Sequence, residues 1–135
     1  MARHNEVGKI GEDVAEKFLI SKGLEIVERN YRKPYGELDI VAREKSGNGD
    51  CLHFVEVKTV SHGMTKVGGG VAHETHRPEE NVHPQKLRRL ARVIQTYLFS
   101  RGKDAERWQF DVVCVYLNTE IRRARVKWLK DIVVN

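Results

Sequence analysis

Cysteine is scarce in this chain. Two cysteines among 135 residues, Cys51 and Cys114, form no Cys-x-x-Cys pair. Each lies in an apolar, strand-like run, so buried free thiols in a reducing cytosol are expected. Long hydrophobic runs are missing too: no apolar stretch approaches the roughly 20 residues needed to span a bilayer. The N-terminal stretch MARHNEVGKIGEDV is too polar for a signal peptide. Neither a disulfide scaffold nor a membrane-spanning helix is therefore expected, and the expected location is the cytoplasm. No internal repeat and no linker composition marks a second domain.

What is present is a chain of ordinary domain size, long enough to bury a core without staples. Hydrophobic residues make up 40% and charged residues 32%, a globular profile. The formal net charge is +5 and the isoelectric point about 9.3. A basic balance favours anionic partners, nucleic acid before a membrane surface. Net charge alone does not separate that reading from a merely solvated surface.

The hydrophobic pattern divides the chain. Val7, Ile10, Val14 and Phe18 recur at helical spacing and predict a helix from Asn5 to Lys22, with Asn5 as N-cap and Gly23-Leu24 as the stop. Gly8 and Gly11 weaken its first turns, as a close backbone approach or plain fraying would allow. Strands are expected at Leu24 to Arg32, Glu37 to Arg43 and Cys51 to Val60. Pro34-Tyr35-Gly36 turns the first pair and Ser46 to Asp50 turns the second, which should be an antiparallel hairpin. Residues of about 61–82 have no period and hold three consecutive glycines, predicting a long flexible loop. A second helix follows from His83 to Phe99, with Leu87, Leu90, Ala91, Ile94, Tyr97 and Leu98 as its apolar face and Gly102 as its close. Trp108 to Leu117 is a fourth strand and Ile121 to Trp128 a fifth. Leu129 to Val134 is a short terminal element of open type. The order α-β-β-β-α-β-β implies a single α/β domain, a mixed central sheet flanked by helices.

Charge appears where such strands should be apolar. In the run Phe54-Val55-Glu56-Val57-Lys58, Glu56 and Lys58 share a face with Leu52 and Phe54. Buried charge needs a partner or a metal. Asp39, in the apolar strand before the hairpin, can reach Glu56 by antiparallel pairing. Two carboxylates with a backbone carbonyl suit a hard cation, Mg²⁺ or Mn²⁺, and a neighbouring lysine can position water or phosphate. Spacing alone leaves a cross-strand ion pair as an equal alternative.

The wider pattern is more specific. Asp39, sixteen residues, then Glu56-x-Lys58 looks like the PD-(D/E)xK nuclease motif. The surrounding run GKIGEDVAEKFLISKGLEIVERNYRKPYGELDIVARE, then FVEVKT, with KLRRL from Lys86 and FDVV from Phe110, resembles the YraN-type family. That bacterial group is largely uncharacterised. The resemblance implies a restriction-endonuclease-like fold and a distant similarity to archaeal Holliday-junction resolvases. In the resolvases a glutamate on the first helix joins the active site, and Glu12 occupies that position here. Periodicity alone would leave Glu12 facing solvent. The sequence departs from the family after the motif: Val60 stands where an arginine is usual, and the following link is longer.

Other clusters carry less. His73-Glu74-Thr75-His76 has the wrong spacing for a helical zinc pair, and ordinary loop histidines are the better reading. Lys86, Arg88, Arg89 and Arg92 on the second helix, and Arg123, Arg125 and Lys127 on the last strand, are candidate phosphate contacts. Tyr31, Tyr35 and Tyr97 suit packing before base stacking. The combined expectation is a Mg²⁺-dependent nuclease acting on DNA, branched DNA included. Asp39 and Glu56 would hold metal, Lys58 would hold water or phosphate, and Glu12 would assist. The alternative is a nucleic-acid- or partner-binding protein of the same fold that does not cleave. The resolvase similarity implies a homodimer, since a symmetric junction suits a two-fold protein.

Overall fold

The computed structural model describes residues 2–62, 84–101 and 107–134. Within them the chain runs α1 (Ala2–Ser21), β1 (Glu25–Lys33), β2 (Gly36–Glu44), β3 (Cys51–His62), α2 (Pro84–Arg101), β4 (Arg107–Asn118) and β5 (Arg123–Leu129). The five strands form one mixed sheet in sequence order: β3 and β4 are parallel, and every other neighbouring pair is antiparallel. A parallel pair needs a crossover, and α2 lies in it. Strand alternation sends Phe54 and Val112 to a core under α2, and Val55 and Val113 to a core under α1. The helices therefore cover opposite faces.

Helix α1 starts earlier than its sequence signals suggest. It runs from Ala2, so Asn5 lies inside it and does not cap it. Its buried seam is Gly11, Ala15 and Leu19, while Ile10 is 48% exposed. The apolar stripe is rotated because the backbone at Gly11 presses on β3. A Cβ there would lie 1.9 Å from Thr59 Oγ1, so only glycine fits. At Gly8 a Cβ would meet nothing within 4 Å, so its presence reflects no packing demand. The helix ends as the sequence predicts. Gly23, at φ +94°, donates to Ile20 O, and Leu24 N donates to Leu19 O, the two bonds of a Schellman close. Leu24 then packs beside Leu19.

The hairpin turn at Ser46–Asp50 closes with Gly49 N donating to Ser46 O, Gly49 taking φ +105°. Strand β3 continues through His62, so residues 61 and 62 belong to a strand and not to the expected loop. The rest of that loop, and with it its expected mobility and the histidine pair, lies outside the described residues, as does Gly102. Helix α2 buries Leu90, Val93, Ile94, Tyr97 and Leu98. Ile121 belongs to the β4–β5 turn and is 60% exposed. Residues 131–134 form no regular element, but Ile132 N donates to Phe110 O and ties the tail to β4. Among the described residues no helix is long and apolar enough to cross a membrane. Neither cysteine is in a disulfide; Cys114 is buried and Cys51 half-buried.

Candidate functional site

The site exists because two strands part. The β2–β3 pairing ends at Ile40–Val55, while β2 continues along β1 to Gly36 and β3 continues along β4 to His62. Asp39 stands at the split. Its Oδ2 accepts the Val57 N–H at 2.8 Å, filling the next rung of the ladder with a side chain. One residue back along β3 from Val57, Glu56 points to the α2 side. A cleft of about 230 Å³ opens there, lined by Glu37, Asp39, Glu56, Lys86 and Leu90.

The cleft concentrates carboxylates. Burial pushes the Asp39 carboxyl up to about 7, the charges of Glu56, Glu12 and Glu37 add to the shift, and the Val57 N–H opposes it. Glu56 is 11% exposed at its side chain. Its Oε2 is 3.1 Å from Lys58 Nζ and also holds the ammonium of Lys86, which reaches down from the first turn of α2. Burial alone would lower the Lys86 pKa, but hydrogen bonding to Glu56 and the charges of Glu56 and Asp39 hold it above the usual lysine range.

The structure thus brings Asp39, Glu56 and Lys58 together, and it adds Lys86, which sequence reasoning assigns to phosphate contacts. It keeps Glu12 at one remove. Glu12 Oε1 accepts from Arg29 Nη2 at 3.1 Å, and Arg29 Nη1 binds Asp13 and Glu16, each at 2.9 Å. Glu12 does not line the cleft, yet its charge is felt at Asp39. Arg88, Arg89 and Arg92 lie on the exposed side of α2. Arg92 stacks over Tyr35 at 3.8 Å, and the Tyr35 hydroxyl lies 2.6 Å from Thr96 Oγ1, so the β1–β2 turn is tied to α2. Close packing of Gly36 on Val93 completes the joint. Sequence reasoning misses Glu37 as a site residue. No local pattern marks it, because strand alternation breaks at Asp39: Leu38 packs in the core under α2 and Ile40 in the core under α1.

A second polar cluster, also missed by sequence reasoning, lies on the α1 face. His53 Nδ1 is 2.6 Å from Asp111 Oδ2, and its Nε2 is 2.8 Å from Glu44 Oε1. Asp111 also accepts from Trp128 Nε1, Gln109 Nε2 and the Asp131 N–H. Every oxygen of this buried carboxylate is satisfied. Asp111 is held below the usual carboxylate range: burial works against its charge, and His53 and the other donors outweigh it. Beside this cluster, burial raises the Cys51 thiol, which argues against a thiolate nucleophile.

Comparison with known proteins covers the same ground. The family described as "Uncharacterised protein family UPF0102" matches residues 11–115. A UPF0102 protein of Beutenbergia cavernae is 40% identical over 132 residues, covering 98% of this chain and 99% of the relative. One of Moorella thermoacetica is 39% identical over 123 residues, covering 91% of each. One of Syntrophotalea carbinolica is 41% identical over 112 residues, covering 81% of this chain and 77% of the relative. The matched span runs from Gly11, where α1 meets β3, through the whole cleft to Val115 in β4. The chain belongs to the UPF0102 family, the YraN-type group that its motifs resemble.

Proposed function

We propose that this chain is a metal-dependent nuclease of restriction-endonuclease-like fold that hydrolyses phosphodiester bonds in DNA, branched DNA included. The observation that carries the reading is the split between β2 and β3, where Asp39 and Glu56 meet beside Lys58. A divalent cation fits these residues. The Asp39 carboxyl is driven towards protonation by burial and by neighbouring carboxylates, a cost that a cation would relieve. The donors are hard oxygens, which suit Mg²⁺ or Mn²⁺. Among the described residues no group of three or more His, Cys, Asp or Glu is placed to hold a metal ion. Mg²⁺ usually binds through one or two carboxylates and keeps several waters, so the pair suffices.

Asp39 and Glu56 would hold the cation. A cation there would supply an acidified water at neutral pH and would offset charge developing on the phosphate. Lys58 orients the water or a phosphoryl oxygen from its fixed place on β3. Glu12, held by Arg29, adds to the negative field around Asp39. Arg88, Arg89 and Arg92 follow the DNA backbone along α2. One observation favours a binding protein that does not cleave: Glu56 already has two ammonium partners.

The test is a panel of duplex, single-stranded, flapped and four-way DNA, incubated with Mn²⁺ or EDTA. We expect Mn²⁺-dependent strand cleavage that disappears in Asp39→Asn. DNA binding by wild type with no cleavage of any substrate would establish the non-cleaving alternative. Gel filtration with light scattering checks the homodimer that belongs to the same proposal.

A further inference from the structure

We infer that Lys86 is a built-in counter-ion, an ammonium that stands in for the divalent cation at Glu56 and must leave before that cation binds. The inference rests on the metal-site reading above and adds a device that regulates it.

The two lysines at Glu56 are not equivalent. Lys58 sits two residues away on the same strand, so its backbone stays beside Glu56 however the helices dock. Lys86 comes from another element. It lies in the first turn of α2, a turn with no acidic residue. A cation there opposes the helix dipole, so its own helix does not favour its charge. What favours it is the cleft: Lys86 contacts Glu56 Oε2 and feels the charge of Asp39. An ammonium on one candidate ligand, within the field of the other, offsets the charge that a divalent cation would offset. The two cations therefore compete for one carboxylate oxygen.

Lys86 is also built to leave. Its side chain is 38% exposed against 11% for Glu56, so its ammonium can swing to solvent without unpacking the core. Leu90, one turn further on, is buried and anchors the helix while the lysine moves. A phosphate at the mouth of the cleft would give the released ammonium a new anion, and the DNA backbone supplies one. Exchange of one side chain between Glu56 and a phosphate then couples cation binding to substrate binding. By linkage, each favours the other.

The experiment titrates the full-length protein with Mn²⁺ alone, by isothermal calorimetry, without DNA. Lys86→Met keeps the aliphatic stem and removes the charge, and Lys86→Gln serves as the second variant. Circular dichroism confirms folding of each. Removing a partly exposed competing charge should tighten Mn²⁺ binding by roughly two- to fivefold, while Asp39→Asn abolishes it. Unchanged affinity in both Lys86 variants, with binding still lost in Asp39→Asn, overturns the counter-ion and leaves the metal site standing. Failure of wild type and both Lys86 variants to bind Mn²⁺ overturns the metal-site reading and the counter-ion together.

Discussion

Asp39 carries two demands that conflict. Its Oδ2 must accept the Val57 N–H to close the gap where β2 leaves β3, and its charge must be tolerated among Glu37, Glu56 and Glu12. The raised pKa measures that conflict. An unfolded aspartate ionises near 3.8, and Asp39 in the fold near 7. Between those values the folded chain binds a proton that the unfolded chain has lost. Stability contributed by this group therefore falls as pH rises from about 4 to 7 and stays low above it. An asparagine in place of Asp39 would still accept from Val57 but would carry no charge. Asp39→Asn should therefore be more stable than wild type at pH 8, by on the order of one to a few kcal/mol, and so melt higher there, and should match it near pH 4. Thermal melts at the two pH values check this, and equal melting at pH 8 would count against it. Mn²⁺ should raise the wild-type melt at pH 8 and leave the asparagine variant unchanged, because only the carboxylate gains from a cation.

At the scale of elements, α1 and β3 are fitted to each other at one point. Gly11 touches Thr59, the residue after Lys58, so any side chain at Gly11 pushes the end of the motif strand. Two substitutions in the same helix should then have opposite signs. Gly8→Ala meets open space and should stabilise by up to about 1 kcal/mol through helix propensity. Gly11→Ala gains the same propensity but forces a clash, and should destabilise by about 1–3 kcal/mol. Urea denaturation of the pair decides it; equal effects would mean that the contact is not tight. The sequence could suggest a close approach at these glycines but could not say which one, because periodicity marks a face and not a partner. The same limit explains the rotated stripe: Ile10 counts as apolar, whereas the seam follows the small residue. Strands and hairpins were legible to within about two residues, since alternation and turn chemistry are local signals. Asp39, Glu56 and Lys58 could be read because charge in an apolar strand is conspicuous. Lys86 could be read only as a basic residue on a helix, because its contact with Glu56 depends on how the crossover docks α2.

Over the whole molecule the sheet separates two titrating centres, the carboxylate cleft under α2 and the His53–Asp111 cluster under α1. His53 is silent in the sequence because one histidine in a strand carries no pattern. In the fold it lies between two carboxylates. Burial works against its charged form, but bonding to Asp111 and Glu44 prevails and raises its pKa above 6.5. A raised histidine contributes stability that is fully present below its unfolded value and is lost as pH rises through the folded one. Asp111 has the opposite sign: its depressed pKa gives stability above about 3.8 that is lost as pH falls further. As pH rises, stability should therefore fall in two stages, one from Asp39 between about 4 and 7 and a later one from His53 above 6.5. Asp39→Asn should remove only the first stage. His53→Gln should lower stability at pH 6 and flatten only the second. Because the groups lie on opposite faces and share no hydrogen-bond partner among the described residues, the double variant should equal the sum of the singles within about 0.5 kcal/mol. Urea midpoints across pH 4 to 9 for the four proteins test this. A non-additive double variant would show that the sheet couples the two centres, and a profile still falling above pH 7 in His53→Gln would remove His53 as its cause.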